Sequence, residues 1–364
     1  RIGHVLHVDK SKSTTPLCTA LTRLGFRNGA PFCSMATQNG NPEALCDLLG
    51  VAHPVIQAGM VWCTGADLVV AVGRAGGLGT LGAGSMYPEE LDAEIQKVRA
   101  NWDGPFAVNV PLLYPAVEEH METIRRHKVP VVFTSAGSPR KWTDFLKSAG
   151  AVVVHVVSSA AFAKKSEDAG VDAVVAEGFE AGGHNGREET TTLCLVPEVV
   201  DAVRIPVIAA GGFYDARTML AAFALGASGV QMGSRFVMTQ ENPAHVAFKQ
   251  RIADAGAGET RLMLKDITPV RLLRGPEGSF YDRVASAESA GDDVQALRVL
   301  LGRGRAKLGM REGDLLEGEL EIGQVSALLD DWPKAGDLMG EILGDYRAFG
   351  TAKMAPGFCW KALM

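Results

Sequence analysis

The stretch with the most reactive residue types follows a buried, strand-like run at Ala173–Ala176. It reads EGFEAGGHNG from Glu177 to Gly186, so that His184 comes directly after a Gly-Gly turn. An imidazole can act as a base or an acid near neutral pH. A lone histidine is more often a structural, hydrogen-bonded side chain, but its place at the end of a strand favours a catalytic role for His184. His120, His127 and His155 lie within predicted helices or a strand and are expected to be structural or exposed.

Two glycine turns follow the last two strand-like runs of the chain. The first turn is Gly211-Gly212, and the second is Gly233-Ser234. Glycine allows backbone N–H groups to approach an oxyanion closely. Each turn alone could simply be a tight loop. Because both stand after neighbouring strands, they predict a phosphate-binding site.

Polar and apolar groups at two earlier strand ends could face the same ligand. Asn109 ends the third strand-like run, and its amide could pair with the polar edge of a heterocycle. Gly59 and Met60 follow the first run and could lie against the same ring. For Met60 the alternative is ordinary core packing.

Eight apolar runs past residue 50 predict the elements that position these groups. The runs are continuous and rich in β-branched residues, which is typical of a parallel sheet covered by helices. They are 55–58, 78–81, 106–110, 131–134, 152–156, 173–176, 207–210 and 229–232.

Amphipathic helical stretches separate these runs. One is predicted from Asp67 to Ala75, one from Pro88 to about Asn101 with acidic residues in its first turn, and one after Pro139 that stops at Gly150. Eight βα units predict a TIM (β/α)8 barrel, whose active site lies at the carboxyl ends of the strands. The alternative is an open doubly wound sheet, but the first turn lacks a dinucleotide fingerprint.

The pattern changes after the eighth run, which gives the predicted domain organisation. Residues 43–240 form the barrel, 241–321 an inserted and mostly helical lid or small domain, and 322–350 the helix that closes the barrel. Residues 351–364 are a tail. Residues 1–42 resemble an organellar transit peptide, with a disordered tail as the alternative, so that the expected location is cytoplasmic or else plastid or mitochondrial.

The composition narrows the class of protein and of partner. The 364 residues carry a net charge of -6, which is unlike the basic surface of a nucleic-acid binder. The six cysteines show no CxxC spacing, so we expect neither a structural metal site nor a disulfide framework. No apolar run is long enough to predict a membrane span. The expected partner is a small molecule, and a homodimer is compatible with this pattern.

Taken in order, these motifs resemble the nitronate monooxygenase family, formerly the 2-nitropropane dioxygenases, which includes the FMN-dependent enoyl-ACP reductase II. The similarity covers roughly residues 45 to 350. It rests on PVIQAGM from Pro54, AGGLG from Ala75, Glu177 through His184, AAGG from Ala209 and GVQMGSRF from Gly229.

The resemblance implies FMN as cofactor and assigns roles to the motif residues. The flavin ring or ribityl chain would contact Gly59, Met60, Asn109 and Glu177, with Gly182 and Gly183 lining it. Gly211, Gly212, Gly233 and Ser234 would hold the phosphate, and His184 would be the catalytic histidine.

Family resemblance leaves the reaction open between two chemistries. We place first the oxidation of alkyl nitronates with O2 to a carbonyl compound and nitrite. The alternative is reduction of an enoyl thioester, carried on acyl carrier protein, with NADH or NADPH as co-substrate. LKDITPVR from Leu264 to Arg271 is closer to the reductase branch. A flavin-binding protein without catalytic activity is a distant third hypothesis.

Overall fold

A computed structural model describes residues 40–351. The predicted leader up to residue 39 and the tail beyond residue 351 lie outside the described residues. No helix between residues 40 and 351 is both long and apolar enough to cross a bilayer.

Eight parallel strands form the central sheet, and each lies on one of the eight apolar runs. In spatial order the strands are β1 (Val55–Gln57), β9 (Gly229–Met232), β8 (Val207–Ala210), β6 (Ala173–Glu177), β5 (Val152–Val157), β4 (Val131–Ser135), β3 (Ala107–Pro111) and β2 (Thr80–Gly82). The sheet closes because Gln57 of β1 donates a backbone hydrogen bond to Leu78, just before β2. The predicted TIM-barrel fold is confirmed.

Helices alternate with these strands and cover the barrel. The helix predicted from Pro88 begins and ends as expected, and Glu90 in its first turn accepts a hydrogen bond from the Tyr87 N–H at 2.8 Å. The helices around the barrel are α1 Pro42–Leu49, α2 Ala66–Arg74, α3 Pro88–Asn101, α4 Val117–Arg126, α5 Arg140–Ser148, α6 Ala160–Asp168, α7 Thr192–Ala202, α8 Ala216–Ala224 and α9 Ser234–Val237.

Two apolar layers hold the barrel together. The inner layer fills the barrel with alternate strand residues such as Ile56, Phe133 and Ile208, and Leu45 and Leu49 of α1 join it. The outer layer lies between the strands and the helices. Burial of this much apolar surface, at about 25 cal/mol per Å², stabilises the scaffold that carries the strand-end loops.

The inserted segment is less helical than predicted. It contains α10 Val246–Ala253, α11 Phe280–Ala290 and α12 Val294–Leu301, but also the antiparallel strands β10 Thr260–Met263 and β11 Val270–Leu273. It has an apolar cluster of its own around Phe280 and Leu272. The closing helix, α13, spans Ala335–Thr351 and not 322–350, because a 3-10 turn at Gln324–Leu328 and an extended stretch that includes Pro333 precede it.

A third strand joins the insert to the barrel. β7, Gly183–His184, leaves the loop after β6 and pairs antiparallel with β11. The loop that carries His184 is therefore an edge strand of the inserted sheet.

Candidate active site

The insert fixes the backbone of His184. His184 lies opposite Val270 and Gly183 opposite Arg271 in the ladder between β7 and β11. The N–H of Asn185 extends this pairing by donating to the Pro269 carbonyl at 3.0 Å. Residues 177–184, the histidine loop, thus begin on barrel strand β6 and end on the inserted sheet.

The Gly211-Gly212 turn lies against the start of the same loop. Both glycines have left-handed φ angles, +89° and +83°, which favour glycine at these positions. A side chain at residue 211 would come within 2.7 Å of the Gly178 carbonyl oxygen. Thr192 ties the two segments together, because its Oγ1 lies 2.8 Å from the Gly211 carbonyl oxygen and its backbone N–H donates to the Glu180 carboxylate at 2.9 Å.

The second predicted phosphate turn, Gly233-Ser234, lies next to Met60, which follows β1, and next to Gly323, which follows the insert. A Cβ built on Gly233 would be 3.7 Å from the Met60 Sδ, which is ordinary contact distance. Ser234 Oγ accepts a hydrogen bond from the Gly323 N–H at 2.9 Å. Gly323 in turn lies against Gly182, so that the phosphate turn and the histidine loop share one neighbour.

Asn109 presents an unused acceptor. Its amide nitrogen donates to the Gly59 carbonyl oxygen at 3.3 Å, which brings these two predicted residues together. Its Oδ1 is buried and has no hydrogen-bond partner among the described residues. A buried unpaired acceptor is costly, so this oxygen fits a donor on a bound heterocycle.

Three carboxyl groups at the site have raised pKa values. Burial raises the pKa of Glu177 and that of Glu321 to about 7. The pKa of Glu319 also rises to about 7, first through burial and then through repulsion by Glu321, against the attraction of His184 and Arg305. Glu321 touches the histidine loop, because its Oε2 lies 2.6 Å from where a Cβ on Gly183 would be.

The side chain of His184 is exposed at the site. The protein around it still removes part of its solvation, and this desolvation lowers the pKa of the imidazole. Glu319 partly opposes this effect, because a nearby carboxylate favours the imidazolium. The neutral imidazole therefore predominates at neutral pH, with a carboxylate placed to stabilise the protonated form.

The three histidines expected to be structural or exposed, His120, His127 and His155, hold structural positions. His155 is buried in β5, where its Nδ1 is 2.7 Å from Thr134 Oγ1 and burial lowers its pKa to about 4. His120 is buried with its Nε2 3.0 Å from the Met86 carbonyl oxygen. His127 pairs with Asp92 at 2.6 Å.

Several residues of this region carry no local sequence signal for a site. They are Arg271, Glu319, Glu321 and Gly323, all from the insert or the segment that directly follows it. Only Arg271 lies in a segment singled out above, and there as part of a resemblance. Their nearness to His184 depends on pairing between segments far apart in the chain.

Comparison with known proteins identifies the family. The family model described as nitronate monooxygenase matches residues 42–127 and 118–345. The chain belongs to the nitronate monooxygenase family. Among the solved structures it is similar to FabK from Thermotoga maritima, with a TM-score of 0.80 and 39% identity over 84% of this chain and 96% of that one.

Other proteins similar to this chain carry the names of different activities. A hydroxy-methyl-oxo-octahydroindene-carboxyl-CoA dehydrogenase from Rhodococcus jostii is 35% identical over 83% of this chain and 95% of its own length. A probable nitronate monooxygenase from Staphylococcus haemolyticus is 34% identical over 67% of this chain and 80% of its own length. A nitroalkane oxidase from Streptomyces ansochromogenes has a TM-score of 0.73 and 28% identity, covering 84% of this chain and 99% of that one. The relatives are oxidoreductases, and so this chain is an enzyme of an oxidoreductase family.

Proposed function

We propose that this enzyme is an FMN-dependent oxidoreductase that acts on an acyl thioester and exchanges a hydride with NADH or NADPH. This order reverses the sequence-based preference for nitronate oxidation. The observation that carries it is the acidic charge next to the imidazole: Glu319 acts electrostatically on His184, and Glu321 lies beside Gly183.

The residues present fit FMN. Gly211 and Gly212 would hold its phosphate with Gly233 and Ser234. The Cβ positions of Gly212 and Gly233 have no atom closer than 3.5 Å, which leaves room for an oxyanion beside these two residues. The unpaired Oδ1 of Asn109 would accept a hydrogen bond from the ring system. When bound, FMN would supply the hydride transfer between the nicotinamide and the β-carbon of the thioester.

The site charge favours a neutral substrate. Glu177, Glu319 and Glu321, each with a pKa of about 7, are together roughly half ionised at neutral pH. The reacting group of an alkyl nitronate is an anion and would be repelled by them, whereas the reacting group of an acyl thioester is neutral.

His184, helped by Glu319, would transfer the proton that joins or leaves the α-carbon of the thioester. The α-carbon of a thioester must lose a proton in dehydrogenation and gain one in reduction. In dehydrogenation the neutral imidazole of His184 would accept the α-proton. In reduction the imidazole would first take a proton from solvent and then donate it to the α-carbon. In both directions Glu319 would stabilise the imidazolium.

The comparisons support the same class of substrate. One relative of 35% identity is named as a dehydrogenase of a carboxyl-CoA compound. FabK, at 39% identity, belongs to the enoyl-ACP reductase branch named above. Nitronate oxidation is the second candidate, and the similarity to probable nitronate monooxygenases and to a nitroalkane oxidase favours it.

Anaerobic mixing of the flavin-loaded enzyme separates the two candidates. We expect NADH or NADPH to bleach the flavin absorbance, and a 2-enoyl-CoA to restore it. Ethyl nitronate without a nicotinamide is expected to leave the spectrum unchanged. Bleaching by the nitronate alone, with no response to either nicotinamide, would reject the proposal in favour of nitronate oxidation.

A further inference from the structure

Arg271 of β11 is a buried arginine whose side chain donates hydrogen bonds to the histidine loop. Its side chain is 1% exposed. Its Nη2 donates to the Phe179 carbonyl oxygen at 2.8 Å, and its Nε donates to the same oxygen at 3.2 Å. A weaker hydrogen bond joins its Nη1 to Thr260 Oγ1 at 3.4 Å.

Two further contacts join Arg271 to that loop. Its guanidinium carbon stands 4.4 Å from the centre of the Phe179 ring, a cation–π geometry. Its backbone lies opposite Gly183, one residue before His184. Arg271 therefore contacts the loop near its start through the side chain and near its end through the backbone.

This arrangement is costly if stability alone is considered. Burial lowers the pKa of Arg271, and Glu180 and Glu189 only partly oppose that effect. Among the described residues its hydrogen bonds go to neutral oxygens, which compensate a buried charge less well than a carboxylate does. An apolar side chain of similar size is often at least as stabilising in such a place.

We propose that Arg271 is a positioning residue that sets the location of His184 by holding the loop from Phe179 to Gly183 against the inserted sheet. The inference rests on the proposed role of His184. A planar guanidinium can donate two hydrogen bonds to one oxygen while it stacks on a ring. The ammonium of lysine keeps the charge but cannot reproduce this combination.

The test compares Arg271→Lys with a matched control, Arg251→Lys. Arg251 is also a largely buried arginine of the insert, and it donates to the Arg274 carbonyl oxygen at 2.8 Å, away from the histidine loop. With NADH and a 2-enoyl-CoA we expect Arg271→Lys to lower kcat by on the order of 10²-fold, because small misplacements of a catalytic group cost that much. FMN content and the KM for NADH should stay close to wild type, and Arg251→Lys should leave kcat within about twofold.

A double variant shows whether the effect passes through the histidine. In a His184→Ala background, Arg271→Lys should change the remaining kcat by less than about twofold, because the group that it positions is gone. An equal loss of kcat in both backgrounds would overturn the proposal and make Arg271 a general structural residue. Wild-type kcat in Arg271→Lys would overturn it as well.

The imidazole resonances give a readout that needs no turnover. We expect the pKa of His184, followed by NMR, to rise towards its ordinary value in Arg271→Lys, because the loop loosens while the charge at residue 271 stays. An unchanged pKa with unchanged imidazole shifts would refute the positioning role. If the enzyme fails to use thioesters, the proposed function falls, but this titration still decides the role of Arg271.

Discussion

Replacing Gly182 by alanine should displace the histidine loop from the segment that follows the insert. A Cβ at this position would lie 2.4 Å from the carbonyl carbon of Ile322 and 2.5 Å from the Gly323 nitrogen, where ordinary contact begins at 3.4 Å. Both obstacles are backbone atoms, so one segment must move by about 1 Å. We expect Gly182→Ala to destabilise the fold by about 1–3 kcal/mol. We also expect it to lower kcat by on the order of 10²-fold, since His184 follows two residues later.

Thermal melts and steady-state kinetics measure the two effects separately. Gly340→Ala is the matched control, because Gly340 lies in α13 with nothing within 4 Å of its built Cβ. This variant should keep the wild-type kcat and gain up to about 1 kcal/mol from the better helix former. A Gly182→Ala enzyme with wild-type kcat and stability would refute the claim that the loop and the Ile322–Gly323 segment are packed this closely.

Two further predictions concern the cofactor and pH. Asn109→Leu removes the buried Oδ1 acceptor and should weaken FMN binding by about 1–3 kcal/mol, measured by fluorescence titration. An FMN affinity equal to that of the wild type would show that Asn109 does not contact the cofactor. Burial lowers the pKa of His155 to about 4, so the unfolded chain takes up this proton before the folded one does. The fold should therefore lose about 3 kcal/mol of stability through this group as the pH falls from 6.5 to 4. His155→Gln should lack this loss in chemical denaturation. The carboxyl groups of raised pKa act in the opposite direction, but they do so in both proteins, so the difference between the two curves isolates His155.

The barrel could be predicted from sequence because its signals are local. Each buried strand is a short, continuous, apolar run, and each helix around it has its own period and end signals. The helix Pro88–Asn101 has proline at its start and glutamates in its first turn, and these signals predict where it begins. Because there are eight such runs, they predict the eight strands of a closed barrel.

The strands of the insert could not be read in the same way. β10 is Thr-Arg-Leu-Met and β11 is Val-Arg-Leu-Leu, and residues of these types also suit helices. β7 has two residues and exists only through its pairing with Val270 and Arg271, far away in sequence. Without that ladder, Gly183–His184 reads as a turn.

Part of the candidate site could likewise be predicted from the sequence, and part could not. Ligands of a (β/α)8 barrel bind at the carboxyl ends of its strands. The sequence places three predicted parts of the site there: His184, Asn109 and the glycine turns. Arg271 and Glu321 approach the histidine only because the insert folds back over the barrel. Their side-chain types alone, an arginine in a short apolar run and a glutamate near the end of the insert, are equally compatible with an exposed surface.

The most direct test of the central claim, that His184 handles the substrate proton beside the bound flavin, is the turnover of His184→Gln. This variant should bind FMN normally and be bleached by NADH or NADPH at the wild-type rate, since neither step uses the imidazole. Its kcat with a 2-enoyl-CoA should fall by about 10²–10⁴-fold, the usual contribution of a general acid or base. An unchanged kcat in a fully flavin-loaded variant would contradict the account.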